Sequence, residues 1–267
     1  MKSDIDKDEA TRVTFEQPLN ERMRAFLRLE FLFDQYAYFR HQTSLWDARA
    51  ALHTLLDVLS VLGNNDFKSD LVKHLYRQRA ALAQLADRPG VDDAQLNQVL
   101  SELDQCSRRL EATLTSYPAA VLRESDLLAA VLNRFAIPGG TCNFDLPSYH
   151  GWLSRPHAAI IADLDRWYGH LDALDAAIRM YLRLLREGTE SAEQTAQDGL
   201  FMYRPRTHCE LIRLQVPAEL DIYPEVSANH YRVSIRFMRL GNVDRRHGQI
   251  HESVPFGMQC CAPQSST

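Results

Sequence analysis

The sequence predicts an α+β protein, with helices first and a small antiparallel β part built mainly from the last third. Three observations predict it. Apolar residues recur at spacings of three and four from Pro18 to about Glu187. The period then drops to two, most clearly in Tyr231–Arg239, where Tyr231, Val233, Ile235 and Phe237 share a face. Prolines at 205, 217, 224 and 255 exclude helix from the later region and confine strands there to edges or bulges.

The first helix is expected to begin near Pro18, a residue suited to a first turn. Leu19, Met23, Phe26 and Leu27 form its apolar stripe, continuing to Phe31 and Phe33. A second helix is expected from about Ser44 to Leu62, with Leu45, Leu52, Leu55, Leu56, Leu59 and Leu62 inward. Gly63-Asn64-Asn65 stops it, and Asp66 is placed to cap a third helix bearing Phe67, Leu71, Leu75, Leu82 and Leu85. After a turn at Arg88-Pro89-Gly90, Asp92 or Asp93 opens a helix bearing Leu96, Val99, Leu100, Leu103 and Leu110, broken before Pro118. A shorter helix from Ser125 to Phe135 ends at Ile137-Pro138-Gly139-Gly140. The longest expected helix runs from Pro156 to Arg186, about 45 Å.

Polar residues from Thr189 to Asp198 read as a linker. Leu200–Tyr203, Glu210–Val216 and Val254–Cys260 are the remaining late strands. Arg12–Glu16 also alternates, and is a candidate to join the same sheet from the far end of the chain. The expected organisation is a disordered lead-in at 1–11, a helical domain at 12–188, a linker at 189–198, a β domain at 199–261 and a disordered tail at 262–267.

With 267 residues, 45% hydrophobic and 24% charged, the composition is that of a folded soluble protein. No run approaches the roughly 20 apolar residues that span a bilayer, so no membrane insertion is expected. The opening MKSDIDKDEATR alternates charges and lacks the apolar stretch of a secretory signal. A net charge of −5 argues against general attraction to nucleic acid. Five cysteines, odd in number and without a C-x-x-C pair, are poor material for a disulfide framework or a zinc site. Buried thiols in a reducing cytoplasm are expected.

Glycine-rich phosphate loops, G-x-S-x-G and H-E-x-x-H are all absent. Cys142, Asp145 and His150 fall within nine residues, the residue types of a nucleophile, an acid and a base. Cys–His enzymes usually draw these groups from distant parts of the chain. The favoured reading is a shaped loop in which Phe144, Leu146 and Trp152 pack while Asp145 turns the backbone. A Cys–His hydrolase is the alternative, and a helical scaffold for some other partner is a third. Among the basic residues, Arg24 and Arg28 lie four apart on one helix face. Arg232 and Arg236 share the polar face of the best strand, about 13 Å apart. Most surface arginines are merely solvated. A converging set would suit an acidic peptide, because guanidinium forks pair with carboxylates bidentately.

Several segments, in order from residue 15 to 261, resemble the ZapD family of bacterial cell division proteins. They include Phe15-Glu-Gln-Pro-Leu-Asn-Glu-Arg-Met-Arg24, Leu27-Arg-Leu-Glu-Phe31, Leu55-Leu-Asp-Val58, Pro89-Gly-Val-Asp92, Leu122-Arg-Glu124, Leu211-Ile-Arg-Leu214, Tyr223-Pro224, Ser234-Ile-Arg-Phe-Met238 and Cys260-Cys261. The most specific is Ile137-Pro-Gly-Gly-Thr-Cys-Asn-Phe-Asp-Leu-Pro147, with His150 and Trp152 after it. The resemblance implies a cytoplasmic homodimer that binds the C-terminal tail of FtsZ and bundles its filaments at the midcell division ring. It implies no cofactor and no catalytic site. The basic positions matching family motifs are Arg24, Arg28, His150 and Arg236, with Arg232 just before the last motif. Where a family member carries arginine, this chain has Asp126.

Overall fold

The computed structural model describes residues 12–63, 67–86, 90–113, 122, 124–205, 209–228, 232–241 and 248–262. The expectations for residues 1–11 and 263–267, for the cap at Asp66 and for the break at Pro118 lie outside that set. The chain divides into two units, at Arg24/Ala25 and at Leu182/Arg183.

Among the described residues, the β unit holds seven strands: β1 (Arg12–Pro18), β2 (Ala192–Ala196), β3 (Leu200–Tyr203), β4 (Leu211–Pro217), β5 (Ile222–Ala228), β6 (Val233–Arg239) and β7 (Val254–Cys261). They form two antiparallel sheets, ordered β1-β4-β7-β2 and β3-β6-β5. The alternation read in β6 holds, with Val233, Ile235 and Phe237 buried and Arg236 exposed. Strand β1 does join from the far end of the chain, pairing Phe15 with Leu214. Ile212, Leu214, Ile235, Phe237, Phe256 and Met258 belong to one apolar core, in which the Phe237 and Phe256 rings lie 5.0 Å apart. Each such side chain contributes about 1.5–3 kcal/mol by leaving water. Proline obeys its donor limit. Pro224 lies on edge strand β5, and Pro255 sits beyond the β4–β7 register, which ends at Gln215–Gly257.

Three expectations are corrected here. The segment 189–198 is not merely a linker, because Ala192–Ala196 pairs with β7 from Met258 to Val254. Strand β5 was not foreseen; its proline and exposed face hide it. Cys209 and Cys260 are brought together, with Cα atoms 5.7 Å apart, the separation that a disulfide spans, against the expectation of unconnected thiols. Linear spacing cannot reveal this pair, since the β4–β7 register brings it together by setting Cys260 opposite Ile212.

The helices are α1 (Glu21–Arg40), α2 (Leu45–Leu62), α3 (Phe67–Ala83), α4 (Asp93–Ala112), α5 (Asp126–Arg134), α6 (Pro147–Leu153), α7 (His157–Tyr168) and α8 (Asp172–Glu187). Helix α2 opens on a capping box, the Asp47 amide donating to Ser44 Oγ at 3.1 Å and the Ser44 amide to Asp47 Oδ2 at 3.2 Å. Its Leu52, Leu55, Leu56, Leu59 and Leu62 are buried as expected, but Leu45 is exposed, as is Phe31 on α1. Asp92 caps α4 by accepting from the Ala94 and Gln95 amides.

The expected single helix from Pro156 to Arg186 is two helices, α7 and α8. At Gly169 the backbone tightens, with His170 donating to the Trp167 carbonyl and Leu171 to that of Tyr168. Leu171 stays fully buried, so the apolar spacing runs on unchanged through the break. The Tyr168 hydroxyl then donates to Asp175, whose other oxygen accepts from Arg179 Nε at 2.7 Å.

Aromatic rings fill much of this unit's interior, with Phe26 5.7 Å from Tyr181 and Tyr36 stacked on Tyr168 at 4.7 Å. Burial raises the phenol pKa of Tyr36 and Tyr168, and pushes that of Tyr149 up to about 12 against the pull of Arg49. A phenol raised on folding contributes stability fully present below its unfolded pKa of about 10 and lost as pH climbs through the folded value. Ultraviolet titration should therefore show these three of the ten tyrosines ionising late, together with unfolding. Ionisation of all ten near pH 10 in a folded chain would contradict the packing.

Candidate functional site

In the helical unit, Ser125 Oγ accepts from the Leu128 amide, so Asp126 is an exposed carboxylate in the first turn of α5. Negative charge is favoured there, which makes the Asp126 departure structurally comfortable. After α5 the chain descends through tight turns, with Ile137 donating to the Arg134 carbonyl, Gly140 to that of Ile137 and Cys142 to that of Gly139. Gly139 has φ +72°, where glycine is favoured. Gly140 is buried, and a Cβ on it would lie 2.8 Å from the Arg134 carbonyl oxygen and 2.8 Å from Ile137 Cβ.

This loop delivers α6, where the sequence predicts only a shaped loop. Pro147 occupies its first turn, and Tyr149, Trp152 and Leu153 anchor it in the core. Trp152 Nε1 donates to the buried Asp163 at 2.9 Å, and Asp163 also pairs with Arg155 at 2.6 Å and Arg166 at 2.8 Å. His150 lies on the outer face of this helix and is exposed. The expected packing holds for Leu146 and Trp152 but not for Phe144, which is 79% exposed. Turn residues fix the backbone here without needing that ring inside.

The Cys142–Asp145–His150 grouping does not assemble as a triad. Cys142 Sγ donates to Asp145 Oδ2 at 3.2 Å, and Asp145 Oδ1 faces Arg134 Nη1 at 3.6 Å. Among the described residues, the His150 ring has no hydrogen bond to either. Nor do those residues contain a group of three or more His, Cys, Asp or Glu able to hold a metal ion. None of their helices is long and apolar enough to cross a membrane.

Arg28 is exposed on α1, and makes no ion pair among the described residues. Trp46 and Arg49 on α2 were not singled out from sequence. The Arg49 guanidinium lies 5.5 Å from the Trp46 ring centroid and 5.0 Å from that of Tyr149. Its Nη2 donates to Thr141 Oγ1 at 2.8 Å. The signal available in advance was the three-residue spacing of Trp46 and Arg49, which places them on one helical face.

In the β unit, Arg24 pairs with Glu21 at 3.3 Å, a contact within one turn of α1. Arg232 precedes β6 and donates to Met202 Sδ at 3.5 Å. Arg236 is exposed in mid-strand, with Glu225 and Leu200 as its cross-strand neighbours. Other arginines of this unit are committed internally. Glu16 accepts from Arg186 at 2.8 Å and Arg213 at 2.7 Å, while Arg22 pairs with the buried Glu210 at 2.8 Å. The candidates thus separate, with Arg28 and His150 in the helical unit and Arg24, Arg232 and Arg236 in the β unit.

Comparison with known proteins bears on the whole of this arrangement. A family model described as ZapD, cell division protein, matches residues 27–236. A relative named cell division protein ZapD, from Methylococcus capsulatus, is 36% identical over 253 residues, covering 94% of this chain and 98% of the relative. A second of the same name, from Bordetella petrii, is 36% identical over 251 residues, covering 94% and 99%.

Proposed function

The chain belongs to the ZapD family of cell division proteins, and on that premise we propose that it binds the C-terminal tail of FtsZ and cross-links FtsZ filaments without catalysis. The observation that carries the reading is a pair of exposed cationic-type side chains, Arg28 and His150, presented from helices whose opposite faces are buried. Such groups take up a carboxylate-bearing peptide at little ordering cost, because their supports are already fixed. Arg24, Arg232 and Arg236 are the corresponding candidates on the β unit.

Cross-linking needs two tail sites per particle, and a symmetric homodimer supplies them. Each contact is weak alone; the second binds at the high effective concentration created by the first. The protein acts in the cytoplasm at the division ring, with no cofactor.

The test is sedimentation of FtsZ polymers with this protein, using full-length and tail-deleted FtsZ. Bundles should form only with the tail present, and should weaken as salt rises, since exposed charge pairs are screened. Bundling of tail-deleted FtsZ, or bundling indifferent to salt, would contradict the proposal. Cys142→Ala should bundle normally, which separates this reading from a Cys–His hydrolase.

A further inference from the structure

Arg49 has features that an internal staple does not require. A guanidinium offers five N–H donors, and the hydrogen bonds of Arg49 among the described residues use only Nη2, toward Thr141 Oγ1 and its carbonyl. No carboxylate pairs with it among those residues. The neighbouring acids are already engaged, Asp47 in the cap of α2 and Asp145 with Cys142 and Arg134. The cation is nevertheless held in one pose by the Trp46 and Tyr149 rings. Trp46 is 74% exposed, a large apolar surface left in water beside that charge. Phe144 stands equally bare on the loop that supplies Thr141, and Tyr149 immediately precedes His150.

The geometry points to a subsite at Arg49 and Trp46 for a peptide carboxylate flanked by an apolar side chain. This rests on the reading that the chain binds the FtsZ tail, and extends it to residues outside the family motifs. The fork of Arg49 takes the carboxylate through its unused donors, and the Trp46 ring covers the adjoining apolar group. A fixed arginine beside an exposed tryptophan is the composition of a binding hot spot.

Tryptophan fluorescence tests it, because Trp46 is exposed while Trp152 and Trp167 are buried. Iodide quenching therefore reports on Trp46. A synthetic FtsZ tail peptide is titrated against the same peptide with every Asp and Glu changed to Asn and Gln. The acidic peptide should shield Trp46 from iodide, and Arg49→Met should weaken it about tenfold or more. The neutral peptide should lose far less, and Arg49→Lys should recover only part of the affinity. Trp46→Ala, at an exposed position that leaves the fold intact, should weaken both peptides. The subsite is overturned if Arg49→Met weakens both peptides equally or neither, or if the acidic peptide binds without shielding Trp46. Failure of the parent protein to bind the tail peptide would instead remove the proposed function, and the subsite with it.

Discussion

Arg28→Ala should abolish FtsZ bundling while leaving the melting temperature unchanged. The side chain is exposed and has no ion pair among the described residues, so its loss should alter folding stability by no more than about 0.5 kcal/mol. Neighbouring Leu29 and Phe26 are fully buried and hold α1 in place without it. Truncating a charge hydrogen-bonded at an interface commonly costs about 2–5 kcal/mol. Bundling amplifies that loss, because both ends of each cross-link weaken together. Arg108→Ala is the control: that arginine is exposed, and its Nε bonds the Asp104 carbonyl of its own helix. Co-sedimentation with FtsZ, run beside thermal melts, decides the matter. An Arg28→Ala protein that bundles FtsZ normally, or fails only because it unfolds, removes Arg28 from the site.

Gly140→Val should damage stability and tail binding together. A Cβ at this position meets the Arg134 carbonyl oxygen at 2.8 Å and the Ile137 carbonyl oxygen at 3.1 Å, backbone atoms with no rotamer to move into. Overpacking of this kind costs about 1–3 kcal/mol, a drop of several degrees in melting temperature for a unit of this size. Binding should fall even well below the melting point, because the same turns carry the chain into the helix that presents His150. Gly139→Ala should be milder, since its φ of +72° is strained for alanine but the space around it is open. A Gly140→Val protein that melts like the parent yet binds poorly would make the loop a direct contact instead of a support.

Periodicity revealed much of this architecture because burial imposes it. Leu52, Leu55, Leu56 and Leu59 repeat as a helix face, and Val233, Ile235 and Phe237 as a strand face, because each lines a core. The same reasoning failed where burial and backbone part company. Leu171 remains buried across the break at Gly169, so its spacing gave no warning of two helices. Strand β2, Ala-Glu-Gln-Thr-Ala, is a mostly exposed edge whose pairing comes from β7 and not from its own side chains. The short helix of His150 was hidden by its length, since seven residues make too few turns to show a helical period, although Pro147 marks its start. Among the candidate cations, sequence identifies residue types; only the fold separates Arg22, Arg186 and Arg213, committed to glutamates, from the exposed Arg28 and Arg236.

The pairing of β1 with β4 has a consequence for how the protein is made. Arg12 to Pro18 faces Pro217 to Leu211, so β1 leaves the ribosome and waits for roughly 200 further residues before its partner exists. At about 5–20 residues per second, that delay is on the order of ten to forty seconds. Among the described residues, the unit from 25 to 182 needs no such wait, because it is one uninterrupted stretch of chain. The helical unit is therefore free to fold during translation, whereas the four-stranded sheet closes only after β7 has been made. Until then β1 is a solitary strand with Val13 and Phe15 unprotected, and nascent-chain chaperones have their longest opportunity to bind it.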